Sequence, residues 1–103
     1  MLDHAEEAIE RARGHTRADL ATDRTLELCL VRLCEVVGEA AARVSQTTRT
    51  TKPNIAWKQI VGLRNRLIHG YDEVDFDVLW GIVQSDLPAL AAELRRMLQA
   101  GSQ

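Results

Sequence analysis

Apolar residues recur at helical spacing through most of the chain, and polar breakers divide them into segments. Ala5, Ala8, Ile9 and Ala12 form one stripe, which predicts a first helix from about Asp3 to Arg13 with Gly14 as its stop. A polar stretch follows, with room for a helical turn near Arg17 to Ala21. Leu26, Leu30, Leu33, Val37, Ala40 and Val44 then step by three and four residues behind Asp23, a residue type that caps helix N-termini. They predict a long second helix. Gly38 lies inside it, where glycine costs about 1 kcal/mol against alanine. With Ala40, Ala41 and Ala42 beside it, Gly38 predicts a place where another backbone comes close. The stretch SQTTRTTKPN is rich in turn and breaker residues and reads as a loop. Pro53 and Asn54 set up a third helix carrying Ile55, Trp57, Ile60, Val61 and Leu67, ended by Gly70. A last helix carries Phe76, Leu79, Trp80, Val83, Leu87, Leu90, Leu94 and Leu98. Pro88 either kinks it or marks a restart after Ser85 or Asp86. The sum is an all-α bundle of about four main helices in a single domain, residues 1–103.

Composition fits this picture. Hydrophobic residues make up 46% of the chain but aromatic ones only 4%, so the core is built from Leu, Val, Ile and Ala. No apolar run is long enough to span a bilayer, and the acidic, amphipathic start MLDHAEEAIERARGH does not read as a signal peptide. The expectation is a cytoplasmic protein. Cys29 and Cys34 fall in one predicted helix, point in different directions and read as small buried hydrophobes.

The net charge is −2, yet no acidic residue occurs between Glu39 and Asp72. That interval holds Arg43, Arg49, Lys52, Lys58, Arg64 and Arg66. Such a segment creates a local positive field if its side chains gather, and nothing if they scatter over several faces. The acidic turn DEVDFD has four carboxylates in six residues. It reads as a helix start, with Asp75 as N-cap and Asp77 in the first turn; a cation site used by a metal-dependent hydrolase is the weaker reading.

The chemistry concentrates in RNRLIHGY, residues 64–71. Arginine is a fixed positive fork suited to phosphate oxygens. A histidine at a helix C-terminus is favoured in its protonated form and can give or take a proton. Arg64 and His69 together are the minimum for metal-free RNA cleavage, in which a 2′-hydroxyl attacks its own phosphate. The same residues are also ordinary helix-capping residues, and spacing alone leaves both readings open.

The octapeptide resembles the signature of HEPN-domain ribonucleases, carried here by Arg64, Asn65 and His69. Four residues between Arg and His, then any residue and Tyr, are similar to the HepT-like branch; Arg64, His69 and Tyr71 match it position by position. VRLCEVVGEAAARVS, with Glu35, Gly38, Glu39 and Ala40, resembles that branch's second helix. NIAWKQIVGLRNRLIHGY and VDFDVLWGIVQSDLPAL resemble its third and fourth. The likeness covers roughly Arg24 to Leu94, while the N-terminal helix matches only in amphipathic character.

The resemblance implies a HEPN-type bundle that works as a symmetric homodimer, with two Arg–His motifs facing one cleft. It implies the toxin of a type VII toxin–antitoxin pair, a metal-independent endoribonuclease acting on transfer or messenger RNA, with no cofactor and no metal. The implied partner is an MntA-like minimal nucleotidyltransferase antitoxin, which adds AMP to Tyr71. Arg64 and His69 are then catalytic, Asn65 orients substrate or histidine, and Arg66 either contacts phosphate or is solvated. Glu39 either pairs with Arg64 and orients it or stands in solvent. Trp57 and Trp80 read as core or dimer-interface anchors rather than stacking platforms. The rival reading is a non-catalytic helical dimer that binds nucleotide or a nucleotidyltransferase.

Overall fold

A computed structural model describes residues 1–68 and 73–101. The fold is all-α. Among the described residues the only extended pairing is a single antiparallel bridge between Ile68 and Val74. Helix α1 spans Leu2–Ala12 and buries Ala5, Ala8 and Ala12. These small residues let it lie close against the central helix α3, Arg24–Ala42, and against the last helix α8, Leu87–Gly101. Between α1 and α3 the anticipated turn forms as α2, Asp19–Thr22, anchored by buried Leu20. The Asp23 side chain accepts the Leu26 N–H at 3.0 Å and starts α3 as its residue type predicts.

The core runs along α3. Leu30, Cys34, Val37 and Ala41 are fully enclosed, facing Leu63 and Leu67 from one side and Leu79, Ile82 and Leu87 within the same cluster. Gly38 is the expected point of close approach. A Cβ built there would stand 3.1 Å from the Ile60 carbonyl oxygen and 3.6 Å from that of Val61. Only a residue without a side chain lets the third helical segment settle this near α3.

The structure departs from the sequence pattern in three places. The presumed loop SQTTRTTKPN contains a helix, α4, Gln46–Thr51, whose N-terminus is capped by Ser45 Oγ accepting from Thr48 N–H at 3.1 Å. Serine and threonine are poor helix formers but good caps, and here capping prevails. The third helix begins only at Trp57 and is divided at Gly62 into α5, Trp57–Val61, and α6, Leu63–Leu67. It stops at Leu67 rather than Gly70, because Ile68 turns extended (φ −108, ψ 119) to bridge Val74.

The last segment restarts at the expected place. Helix α7, Phe76–Gly81, is capped by Asp75 Oδ1 accepting from Val78 N–H. A π-helical turn, Ile82–Asp86, then leads into α8, with the Leu87 N–H bonded to the Ile82 carbonyl. Proline has no N–H to give and crowds the carbonyl four residues back. The widened turn ahead of Pro88 removes that conflict.

Candidate functional site

The short helix α6 carries the first half of the octapeptide. Leu63 and Leu67 are buried and fix its inner face, while Arg64 and Asn65 are exposed. The Arg64 carbonyl accepts the Ile68 N–H at 3.1 Å and closes the last turn. The Asp75 N–H then donates to the Leu67 carbonyl at 2.8 Å. Together with the Ile68–Val74 bridge, this bond brings Ile68 and Val74 together beside α6. His69 and Tyr71 lie between them in sequence, outside the described residues. Because α6 ends at Leu67, its negative dipole end falls two residues before His69, not at Gly70 as the sequence suggested.

Arg64 meets no carboxylate among the described residues. Its charge is therefore available to an outside anion. Of the two readings of Glu39, the pair with Arg64 does not form and the exposed one holds. Glu39 Oε1 instead lies 3.8 Å from Arg32 Nη1, two turns back on its own helix, with both side chains well exposed. Two groups seven residues apart on α3 share a face, and that local partner is the one Glu39 takes. Arg66 is part-exposed but not free: its Nη1 donates to Asp86 Oδ2 at 2.7 Å. This tie between α6 and the end of the π turn was not anticipated from the sequence. The signal that could have found it is the acid two residues before Pro88, where a helix restart re-aims side chains.

Behind that pair sits Cys34, whose thiol burial pushes up to about 12. Asp86 and Glu35 add to the effect and Arg66 opposes it. Both cysteines are free; Cys34 is buried and Cys29 half-buried. A thiol this hard to ionise acts as a small apolar filler. An apolar groove of about 620 Å³ opens beside the Arg66–Asp86 pair, between Ile55, Ile60 and Leu90. Trp57 is a core anchor, with its indole N–H donating to the Lys52 carbonyl at 3.0 Å; Trp80 is half-buried against the core.

The other cations of the acid-free segment divide. Arg49 closes the C-terminus of α3, donating from Nε to Val44 O and from Nη2 to Ala41 O and Ala42 O, each at 3.1 Å. Arg43, Lys52 and Lys58 meet no carboxylate among the described residues. Lys58 shares a groove with Arg49, whereas Lys52 lines a different one with Glu93 and Arg96. The segment is thus partly gathered and partly scattered.

The family profile described as Ribonuclease HepT-like matches residues 1–97. The chain belongs to the HepT-like ribonuclease family. Several relatives of this HepT-like chain carry ribonuclease names. It is 33% identical over 94 residues to "Putative RNase MJ1380" of Methanocaldococcus jannaschii, covering 91% of this chain and 86% of that one. It is 31% identical over 99 residues to "Putative RNase TTE0752" of Caldanaerobacter subterraneus subsp. tengcongensis, covering 96% and 88%. It is 31% identical over 100 residues to "Probable ribonuclease HepT" of Thermococcus cleftensis, covering 93% and 91%. No solved structure matches it. No helix among the described residues is long and apolar enough to cross a membrane.

Proposed function

We propose that this HepT-like chain is a metal-independent endoribonuclease and the toxin of a toxin–antitoxin pair. The observation that carries the reading is Arg64: an exposed guanidinium on a buried-anchored helix, with no carboxylate among the described residues to neutralise it. It stands five residues before His69 in a family of ribonucleases. In the proposed reaction a ribose 2′-hydroxyl attacks the adjacent phosphorus. One member of the His69 pair in a homodimer takes the hydroxyl proton. The P–O5′ bond breaks, the leaving 5′-oxygen is protonated by the other, and a 2′,3′-cyclic phosphate remains. Arg64 stabilises the charge that builds on the phosphorane, and Asn65 orients substrate or imidazole.

Arg66 was a candidate phosphate contact. Its bond to Asp86 leaves it four N–H donors, so it can still approach the strand, but as a group held in place from behind. A two-fold axis near α6 would double Arg64 and His69 about one RNA backbone. AMP on Tyr71, added by an MntA-like nucleotidyltransferase, would place negative charge where the substrate phosphate binds and so silence the toxin.

The test is direct. Chelator-treated protein incubated with transfer RNA should yield fragments ending in 2′,3′-cyclic phosphate, and His69→Ala should abolish them while the helical circular dichroism stays unchanged. Tight RNA binding without cleavage by the parent protein would replace this reading with a binding module.

A further inference from the structure

We propose that the groove between α4 and α5 is a second phosphate subsite, which holds the RNA strand to one side of the scissile phosphate through Lys58. This rests on the ribonuclease reading and extends it to a surface outside the Arg–His motif.

The groove has a volume of about 390 Å³ and is lined by Gln46, Arg49 and Thr50 from α4 and by Trp57, Lys58 and Val61 from α5. None of these is acidic. In each of the other grooves that carry cations, at least one cation is paired with an acid, although Lys52 beside Arg96 has no such partner among the described residues. Arg66 is held by Asp86 in the large groove. Arg96 reaches Glu93 at 3.3 Å in its neighbour. Arg13 and His15, near the end of α1, reach Glu10 and Asp19 at 2.9 and 3.1 Å. Lys58 has no such partner among the described residues.

Arg49 gives this groove its fixed wall. Three hydrogen bonds through Nε and Nη2 immobilise the guanidinium, and among the described residues no bond engages Nη1. A cation already held in one geometry loses little freedom on meeting a phosphate. The hydroxyl of Thr50 bonds its own helix at the Gln46 backbone carbonyl; the Gln46 side-chain amide, which lines the groove, suits a ribose hydroxyl. Trp57 has given its N–H to Lys52 O and is only 8% exposed, so it serves as floor and offers no face for base stacking. The groove is therefore suited to backbone rather than bases, and it predicts little sequence preference.

Position ties the groove to the motif. Trp57, Val61 and Arg64 stand at i, i+4 and i+7, the spacing of one helical strip, and Gly62 passes the strip from α5 to α6 with Gly62 N–H bonded to Lys58 O and Arg66 N–H to Gly62 O. Lys58 and Arg64 are six residues apart, a rise of about 9 Å with the two side chains about 120° apart around the axis, so Lys58 borders the strip that Val61 and Arg64 share. Roughly one or two nucleotides of an extended strand cover that span. An acidic protein partner would satisfy the charge of Lys58, but a strand that wraps on to Arg64 uses both cations.

The experiment uses the full chain and two single-stranded oligonucleotides: RNA for cleavage, and its 2′-O-methyl form, which lacks the attacking hydroxyl, for binding. Lys58→Glu should raise KM by about tenfold at low salt, with kcat within about twofold of the parent. Lys58→Arg should restore KM. Lys58→Ala should flatten the plot of log affinity against log salt by about 0.7, the loss of one phosphate contact on a single strand. An unchanged KM and slope in parent and variants overturns the subsite while cleavage by the parent leaves the ribonuclease reading intact. A changed oligomeric state of Lys58→Glu in sedimentation also overturns it, making the groove an interface between copies. If the parent cuts nothing, the ribonuclease reading fails, and the salt slope of Lys58→Ala alone then decides whether the groove holds a strand.

Discussion

The Arg66 guanidinium and the Asp86 carboxylate meet at 2.7 Å and tie α6 to the π turn, beside a thiol whose ionisation responds to both charges. Helix α6 is only five residues long, too short to hold its own shape. Its orientation depends on Leu63 and Leu67 from within and on this pair at its edge.

Asp86→Ala should therefore lower stability by about 1–2 kcal/mol. The side chains are 38% and 27% exposed, so solvent screening holds the effect nearer that of a surface pair than a buried one. Asp86→Asn keeps a hydrogen-bond acceptor and should cost less. Urea unfolding of Asp86→Ala, of Arg66→Met and of the double variant gives the coupling energy. A coupling near zero would mean that packing alone positions α6.

Gly38→Ala sets two effects against each other. Alanine gains about 1 kcal/mol of helix propensity. Its Cβ, however, would stand 3.1 Å from the Ile60 carbonyl, a backbone atom that yields only if α5 moves. Overpacking of this kind costs about 1–3 kcal/mol, so a net loss of about 1 kcal/mol is expected, read as a lower Tm. Because α5 continues into α6, RNA cleavage should fall further than stability predicts.

Arg49→Ala separates a structural cation from a ligand-binding one. It removes three bonds to the carbonyls of Ala41, Ala42 and Val44 at the end of α3. Loss of a charged cap at a helix C-terminus should cost about 1–2 kcal/mol. Lys58→Ala, on an exposed side chain without a partner, should leave the melting curve unchanged. Equal thermal stability of both variants would remove Arg49 from the frame of the molecule.

What the sequence made legible follows from which forces are local. The stripe Leu26–Leu30–Leu33–Val37, the Asp23 and Asp75 caps and the close approach at Gly38 all express short-range rules, and all stand as read. The differences came where a specific contact overrode the apolar pattern. Ile68 leaves the helix because Val74 offers it a backbone partner. Four threonines form a helix because Ser45 caps it and Arg49 anchors its side. Glu39 had two readings, a pair with Arg64 or a solvated group, and the exposed one holds, with Arg32 of its own helix nearby. The Arg66–Asp86 tie spans twenty residues through a π turn, and no periodicity announces it.

Cys34 gives a prediction with a defined pH window. Burial, aided by Asp86 and Glu35, holds its folded-state value up at about 12, against about 8.5 for a free thiol. Below the lower value neither state is ionised, and the contribution to stability is fully present. Between the two, only the unfolded chain releases the proton, so stability falls as pH rises toward the folded value. Parent protein should lose stability from about pH 9 upward, and Cys34→Val should remove that part of the loss. Native protein treated with iodoacetamide near neutral pH should be modified at half-buried Cys29 before Cys34, as mass spectrometry would resolve. Prompt modification of Cys34 in the native state would show that α6 and the π turn open far more readily than their ion pair implies.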